Sequence, residues 1–176
     1  DGMIKVWNLR GACLWTVAAH ALPVTATVFS TDGTRVVSAS DDRAVRIWSA
    51  ADGAAVCTLG GQNYCVGPVI FSPDGLLCAS AGADEIIQVR HASDGSLVRT
   101  LPGNTNHVSS MAFSPDSKNL ASASSDKTLA LWSADGGQLV RRLEGHTDWV
   151  WSVAWSPSAR IVASASDDNT VSLWDV

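Results

Sequence analysis

With 176 residues, 46% of them hydrophobic and 16% charged, the chain is long enough to bury a core and too apolar to remain disordered. A net charge of −5 without any Lys/Arg cluster argues against general affinity for nucleic acid phosphates or anionic membranes, and no apolar run approaches bilayer length. Cys13, Cys57, Cys65 and Cys78 contain no Cys-x-x-Cys pair, so neither a zinc site nor a disulfide framework is expected, only small buried or half-buried thiols in an intracellular, reducing compartment.

In chain order, DGMIKVW (1–7) opens as the middle of a strand and runs into a turn at Asn8–Arg10. From Gly11 onward the texture is all-β, with short apolar runs such as VTATVFS, RVVSAS, AVRIW and AVCTL separated by turn residues. SPDG (72–75) and SPDS (114–117) place Pro second in a tight turn, where its fixed φ already fits, and the Asp-Gly pairs at 52–53 and 94–95 suit further hairpins. The chain then reaches GHTDWVWSVAWSPS (145–158), which holds Trp149, Trp151 and Trp155.

These elements repeat. Phe29, Phe71, Phe113 and Trp155 stand 42 residues apart, and so do Ser38, Ser80, Ser122 and Ser164, and Asp42, Asp84, Asp126 and Asp168. Gly11, Gly53, Gly95 and Gly137 keep the same spacing. Four strands per period with no helical stretch fit one blade of a propeller.

Gly145-His146, SASDD (164–168) and Leu173-Trp174-Asp175 resemble the Gly-His to Trp-Asp signature of the WD-repeat β-propellers, and equivalent tryptophans stand at Trp7, Trp48 and Trp132. The resemblance implies an all-β propeller of four-stranded antiparallel blades, about four and a quarter of them, within a larger ring of about seven. With the strands of a blade lettered a to d from the channel outward, the expected division is strands c and d of a partial blade over 1–19, full blades over 20–60, 61–102 and 103–144, and a last blade lacking its outer strand over 145–176.

His20, Ser38 and Asp42 have the composition of a hydrolase triad. Their periodic recurrence argues against catalysis. The resemblance instead implies a structural tetrad with Trp48, in which hydrogen bonds tie the b–c turn to its blade. His146, Ser164, Asp168 and Trp174 form the second complete set. Asn104 replaces the histidine beside Ser122, Asp126 and Trp132, while the blade of Ser80 and Asp84 carries Gln62 and Arg90 in place of His and Trp. Because a buried, unpaired cation is costly, Arg90 is expected to meet Asp84, Glu85 or water, in the least rigid of the blades. His91 and His107 lack metal-site spacing and no phosphate-binding loop is present, so no metal, cofactor or enzymatic activity is expected.

Alignment by 42 puts Trp155 in the core at the phenylalanine position and, by period-two alternation, puts Trp151 on the same strand face as Val153 and Trp155. Trp149 aligns with Pro23, Cys65 and His107 at the entrance of strand a, which the resemblance places on the top face. There it either anchors a partner or caps the layer beneath it. Asp41, Ala83, Ser125 and Asp167, each just before the tight-turn aspartate, complete the expected partner-binding set.

The expected function is a non-catalytic scaffold for proteins or peptides within a multiprotein assembly, without direct nucleic acid binding or membrane insertion. Two alternatives come from other classes. DGMIKVWNLR resembles the Trp-Asp-x-Arg box of cullin-based ubiquitin ligase substrate receptors, with Asn8 in place of the usual Asp and Arg10 in register. A propeller enzyme is the other. The compartment is expected to be cytoplasmic, with nuclear and cytoskeletal or ciliary settings also compatible.

Overall fold

A computed structural model describes residues 1–59, 66–82 and 85–176, which form seventeen strands in five antiparallel sheets. The first sheet pairs β1 (Met3–Trp7) with β2 (Cys13–Ala18). The second runs β3 (Val24–Phe29), β4 (Arg35–Ser40), β5 (Val45–Ser49) and β6 (Ala55–Leu59). The third holds β7 (Val66–Phe71), β8 (Leu77–Gly82), β9 (Ile87–His91) and β10 (Leu97–Leu101). The fourth comprises β11 (Val108–Phe113), β12 (Asn119–Ser124), β13 (Leu129–Ser133) and β14 (Leu139–Leu143), and the fifth β15 (Val150–Trp155), β16 (Ile161–Ser166) and β17 (Val171–Asp175). Within every sheet, hydrogen-bonded neighbours are neighbours in sequence, as in the blades of a propeller.

The second strand of each full sheet explains how the sheets stack. RVVSAS, LCASAG and NLASAS are buried on both faces, so they read as continuous runs of small and apolar residues rather than as an alternating pattern. Ala and Ser let adjacent sheets approach, and a hydrophobic layer fills each gap. Val37 and Ile47 of the second sheet meet Val69 and Phe71 of the third, and Ile87 and Val89 of the third meet Met111 and Phe113 of the fourth. Leu129 and Leu131 meet Val153 and Val162 of the fifth.

The aromatic at the end of each first strand faces the preceding sheet. Phe71 and Phe113 are closed off at 8% and 7% exposure, whereas Phe29, whose preceding sheet has only β1 and β2, remains 52% exposed. On the far side of the fifth sheet, Val171 and Leu173 stand exposed where their counterparts Val45 and Ile47 are buried by a neighbouring sheet. Trp155 is half-buried against the fourth sheet and its Nε1–H donates to the Ala112 carbonyl at 3.1 Å.

Trp151 departs from the expectation. A β-bulge between Val150 and Ser152 inserts one residue into β15, which breaks the two-residue alternation. Trp151 therefore lies on the opposite face from Val153 and Trp155 and is 49% exposed. The same bulge recurs at Thr25 and Ser109, whose hydroxyls cross to the next sheet and donate to the carbonyls of Val66 and Val150. Periodicity counted along the sequence could not register an extra residue that every copy contains. The thiols also differ in part from expectation: Cys78 is buried and Cys57 half-buried, but Cys13 is exposed, and Cys65 lies outside the described residues.

Candidate functional site

In the second sheet, His20 Nε2 lies 2.7 Å from Ser38 Oγ, and Trp48 donates its Nε1–H to the same oxygen at 2.9 Å. His20 Nδ1 lies 3.0 Å from Asp42 Oδ1. In the fifth sheet the corresponding distances are 2.8 Å from His146 to Ser164, 2.9 Å from Trp174 to Ser164 and 2.7 Å from His146 to Asp168. A neutral His146 with its proton on Nδ1 satisfies the whole chain, because Trp174 donates to Ser164, Ser164 to His146 and His146 to Asp168. Ser38 and Ser164 are buried and engaged on both sides, so neither oxygen is presented to a substrate.

The aspartate is what stitches the turn. Asp42 Oδ1 accepts the amide of Ala44, and Oδ2 accepts that of Ala21 across the sheet. The residue that follows is left-handed in each described copy, Arg43 at φ 68° and Lys127 at φ 75°, a conformation costing on the order of 1 kcal/mol for a side chain other than Gly or Asn. Burial opposes ionisation of Asp42, yet the Arg46 guanidinium, the two amides and His20 outweigh it and hold the carboxyl well below the usual carboxylate range. Thr170, His146 and the amide of Thr147 lower Asp168 likewise.

Burial lowers the pKa of His20 from 6.5, and nearby Arg46 adds to the effect against the pull of Asp42. The unfolded chain then takes up a proton near pH 6.5 before the folded one does, so stability falls as pH drops from 6.5 to the lowered value. Thermal melts between pH 8 and pH 5 should show this slope in the wild type and a shallower one in His20→Gln. Parallel slopes would assign it to another group.

The variant tetrads use other residues. Ser122 Oγ donates to Asn104 Oδ1 and accepts from Trp132 Nε1–H, each at 3.1 Å. Asn104 does not reach Asp126, whose carboxylate takes Thr105 and Thr128 instead, together with Arg142 at 3.2 Å. Arg142 stands where the other periods have Thr16, Thr58 and Thr100. Sequence reading passed over it because Arg142, next to Arg141 on an outer strand, reads as a solvated charge. In the third sheet Arg90 is half-buried and donates to Gln88 Oε1 at 2.8 Å and to the Gly95 carbonyl at 3.0 Å. Gln62 and Asp84 lie outside the described residues, and Ser80 is buried.

The partner-binding candidates come together in pairs. The Asp41 amide donates to the Pro23 carbonyl, that of Ser125 to His107 and that of Asp167 to Trp149, at 2.9–3.1 Å. Each pair joins the entrance of a first strand to the b–c turn of the same sheet, so all lie at one end of the strands. Pro23, His107, Trp149 and Asp167 are exposed, Asp41 is half-buried and Ser125 is buried, while Cys65 and Ala83 lie outside the described residues. Trp149, 46% exposed, packs edge-on against Trp151 with ring centroids 5.9 Å apart. Asp148 and Asp167 flank the pair, both exposed. Arg10 stands in solvent in the β1–β2 turn, its amide held by Asn8 Oδ1. Among the described residues no cluster of His, Cys, Asp and Glu could hold a metal ion, and no helix is long and apolar enough to cross a membrane.

Comparison with known proteins places this geometry. Over 60 residues the chain is 47% identical to Nuclear distribution protein nudF 1 of Talaromyces marneffei, a match covering 34% of the chain and 13% of that relative. It is 42% identical over 60 residues to Nuclear distribution protein PAC1 of Ajellomyces capsulatus, covering 34% and 13%. With Nuclear distribution protein nudF of Aspergillus oryzae it shares 44% over 48 residues, covering 27% and 10%. The chain thus matches a small fraction of these relatives' length. The family model for the WD domain, G-beta repeat matches residues 11–49, 95–133 and 137–175, about two thirds of the chain. With four in-phase repeats folded as successive antiparallel sheets, the chain belongs to the WD40 family.

Proposed function

We propose that the chain is a non-catalytic platform that docks partner proteins or peptides on the face carrying the b–c turns, with Trp149 as anchor, as part of a multiprotein assembly. The observation that carries this reading is the half-exposed Trp149–Trp151 pair beside Asp148 and Asp167. Large, rigid rings bury much area with little rotamer loss, and the carboxylates favour a basic partner segment. The exposed Val171 and Leu173 support a larger ring in which a further blade covers the fifth sheet. The relatives named for nuclear distribution match over one or two repeats, so what they carry over is the repeat and not a partner.

Native co-purification of the intact protein, wild type against folded Trp149→Ala/Asp167→Ala, tests the proposal. A partner should be lost selectively, with affinity falling roughly 10- to 100-fold as at an interface hot spot. Retention of every partner would overturn docking at this face. Recovery of cullin adaptor subunits that disappear with Arg10→Ala would favour the ligase-receptor reading instead.

A further inference from the structure

Trp149 and Trp151 differ from the structural tryptophans of the chain. Trp15, Trp48, Trp132, Trp155 and Trp174 each spend the indole N–H on a protein acceptor, whereas Trp149 and Trp151 make no such bond among the described residues. Nor does the repeat require them. Trp149 stands where the other periods have Pro23, Cys65 and His107, and Trp151 where they have Thr25, Gly67 and Ser109. The two rings meet at 64° with centroids 5.9 Å apart and are each about half exposed, so neither covers the other and flat ring surface stays open to solvent. Thr25, at the same bulge of the second sheet, is exposed although the third sheet packs against it, so this register position stays accessible when a further sheet follows.

Two carboxylates border this corner. The Asp167 amide donates to the Trp149 carbonyl at 2.9 Å, which fixes the two residues side by side, and the Asp167 carboxylate is exposed with no ion pair among the described residues. Asp148 Oδ1 accepts the amide of Trp149 at 2.9 Å and leaves Oδ2 to solvent. No other period places two carboxylates here, since the corresponding pairs are Leu22 and Asp41, Tyr64 and Ala83, and Asn106 and Ser125. Lys127 reaches the same loop, yet it gives its ammonium to the Thr147 carbonyl at 2.9 Å and not to a carboxylate.

Resting on the docking face proposed above, we infer that this corner selects an arginine of the partner segment, its guanidinium lying on an indole face and donating to Asp148 or Asp167. A guanidinium is flat and weakly hydrated, so it settles on an aromatic ring at small desolvation cost. Its N–H donors then radiate in its own plane, parallel to the ring and toward the flanks, where a carboxylate accepts two of them side by side. A lysine ammonium is compact and strongly hydrated, and its tetrahedral donors do not lie along a ring and fork to a carboxylate together. Aspartates alone would take either cation, and the rings are what separates the two.

Calorimetric titration of the intact protein with the blocked peptide Ac-Gly-Ser-Arg-Ser-Gly-amide and its lysine and citrulline counterparts provides the test. The arginine peptide should bind about three- to fivefold more tightly than the lysine peptide, the ratio for one exposed cation–π contact. It should bind at least about tenfold more tightly than the citrulline peptide, which keeps the shape and loses the charge. Trp149→Leu and Trp151→Leu, both at exposed positions, should each bring the arginine-to-lysine ratio toward one, and Asp167→Asn should weaken the arginine peptide about tenfold. Equal affinity for arginine and lysine, no binding of the arginine peptide, or a preference that survives loss of both rings would overturn arginine selection. Docking at this face is read separately from the co-purification above: a partner lost there, with arginine and lysine equal here, keeps the docking face and removes its arginine.

Discussion

Replacing Trp132 by Ala should lower the free energy of unfolding by about 3–5 kcal/mol, the range for removing a fully buried aromatic ring. Trp132 is 1% exposed, lies within the cluster between the third and fourth sheets, and donates to Ser122. Its ring also closes over Gly103, where a Cβ would come within 2.9 Å of Cη2. A left-handed φ of 142° and the ring overhead therefore both require glycine there. Trp174 makes the same bond to Ser164 but is only half-buried, so Trp174→Ala should cost about half as much. Urea unfolding followed by far-UV circular dichroism ranks the two. Equal losses would mean that the shared hydrogen bond, not burial, sets the contribution.

The second large effect is expected for Asp42→Ala, at about 2–4 kcal/mol. The substitution leaves the amides of Ala21 and Ala44, His20 and the partly exposed Arg46 without their common acceptor. Asp42→Asn keeps an acceptor and should lose less. The wild-type contribution has a defined pH window. Because the folded pKa is depressed, the stability is fully present above the unfolded value of 3.8 and is lost as pH falls below it. The acid limb of a stability-versus-pH curve should therefore flatten in Asp42→Ala. An unchanged limb would move the effect to Asp168 or to the turn carboxylates, among which Asp32 is held down to about 2 by Ser30 and Thr34.

Much of this architecture was legible because it is periodic. A phenylalanine or tryptophan, a serine and an aspartate recurring every 42 residues mark the first strand, the second strand and the turn that follows it, and the small-residue runs around Ser38, Ser80 and Ser122 lie in strands covered on both faces. What escaped is what periodicity cannot encode. The bulge displaces Trp151 to the other face without changing the spacing of anything around it. Arg46 and Arg142 act on the turn aspartates from strand positions occupied by Gln88 and Thr100 in the third sheet, so no alignment of copies marks them.

The pairing of every strand with its chain neighbour also bears on how the molecule forms. Hairpins need only short loop closures, and contacts between sheets recur at a sequence separation near one period, as between Thr25 and Val66 at 41 residues. Contact order therefore stays low for an all-β chain and does not grow as sheets are added. On a ribosome, each sheet can zip up soon after its last strand emerges and wait exposed only until the next one arrives to cover it.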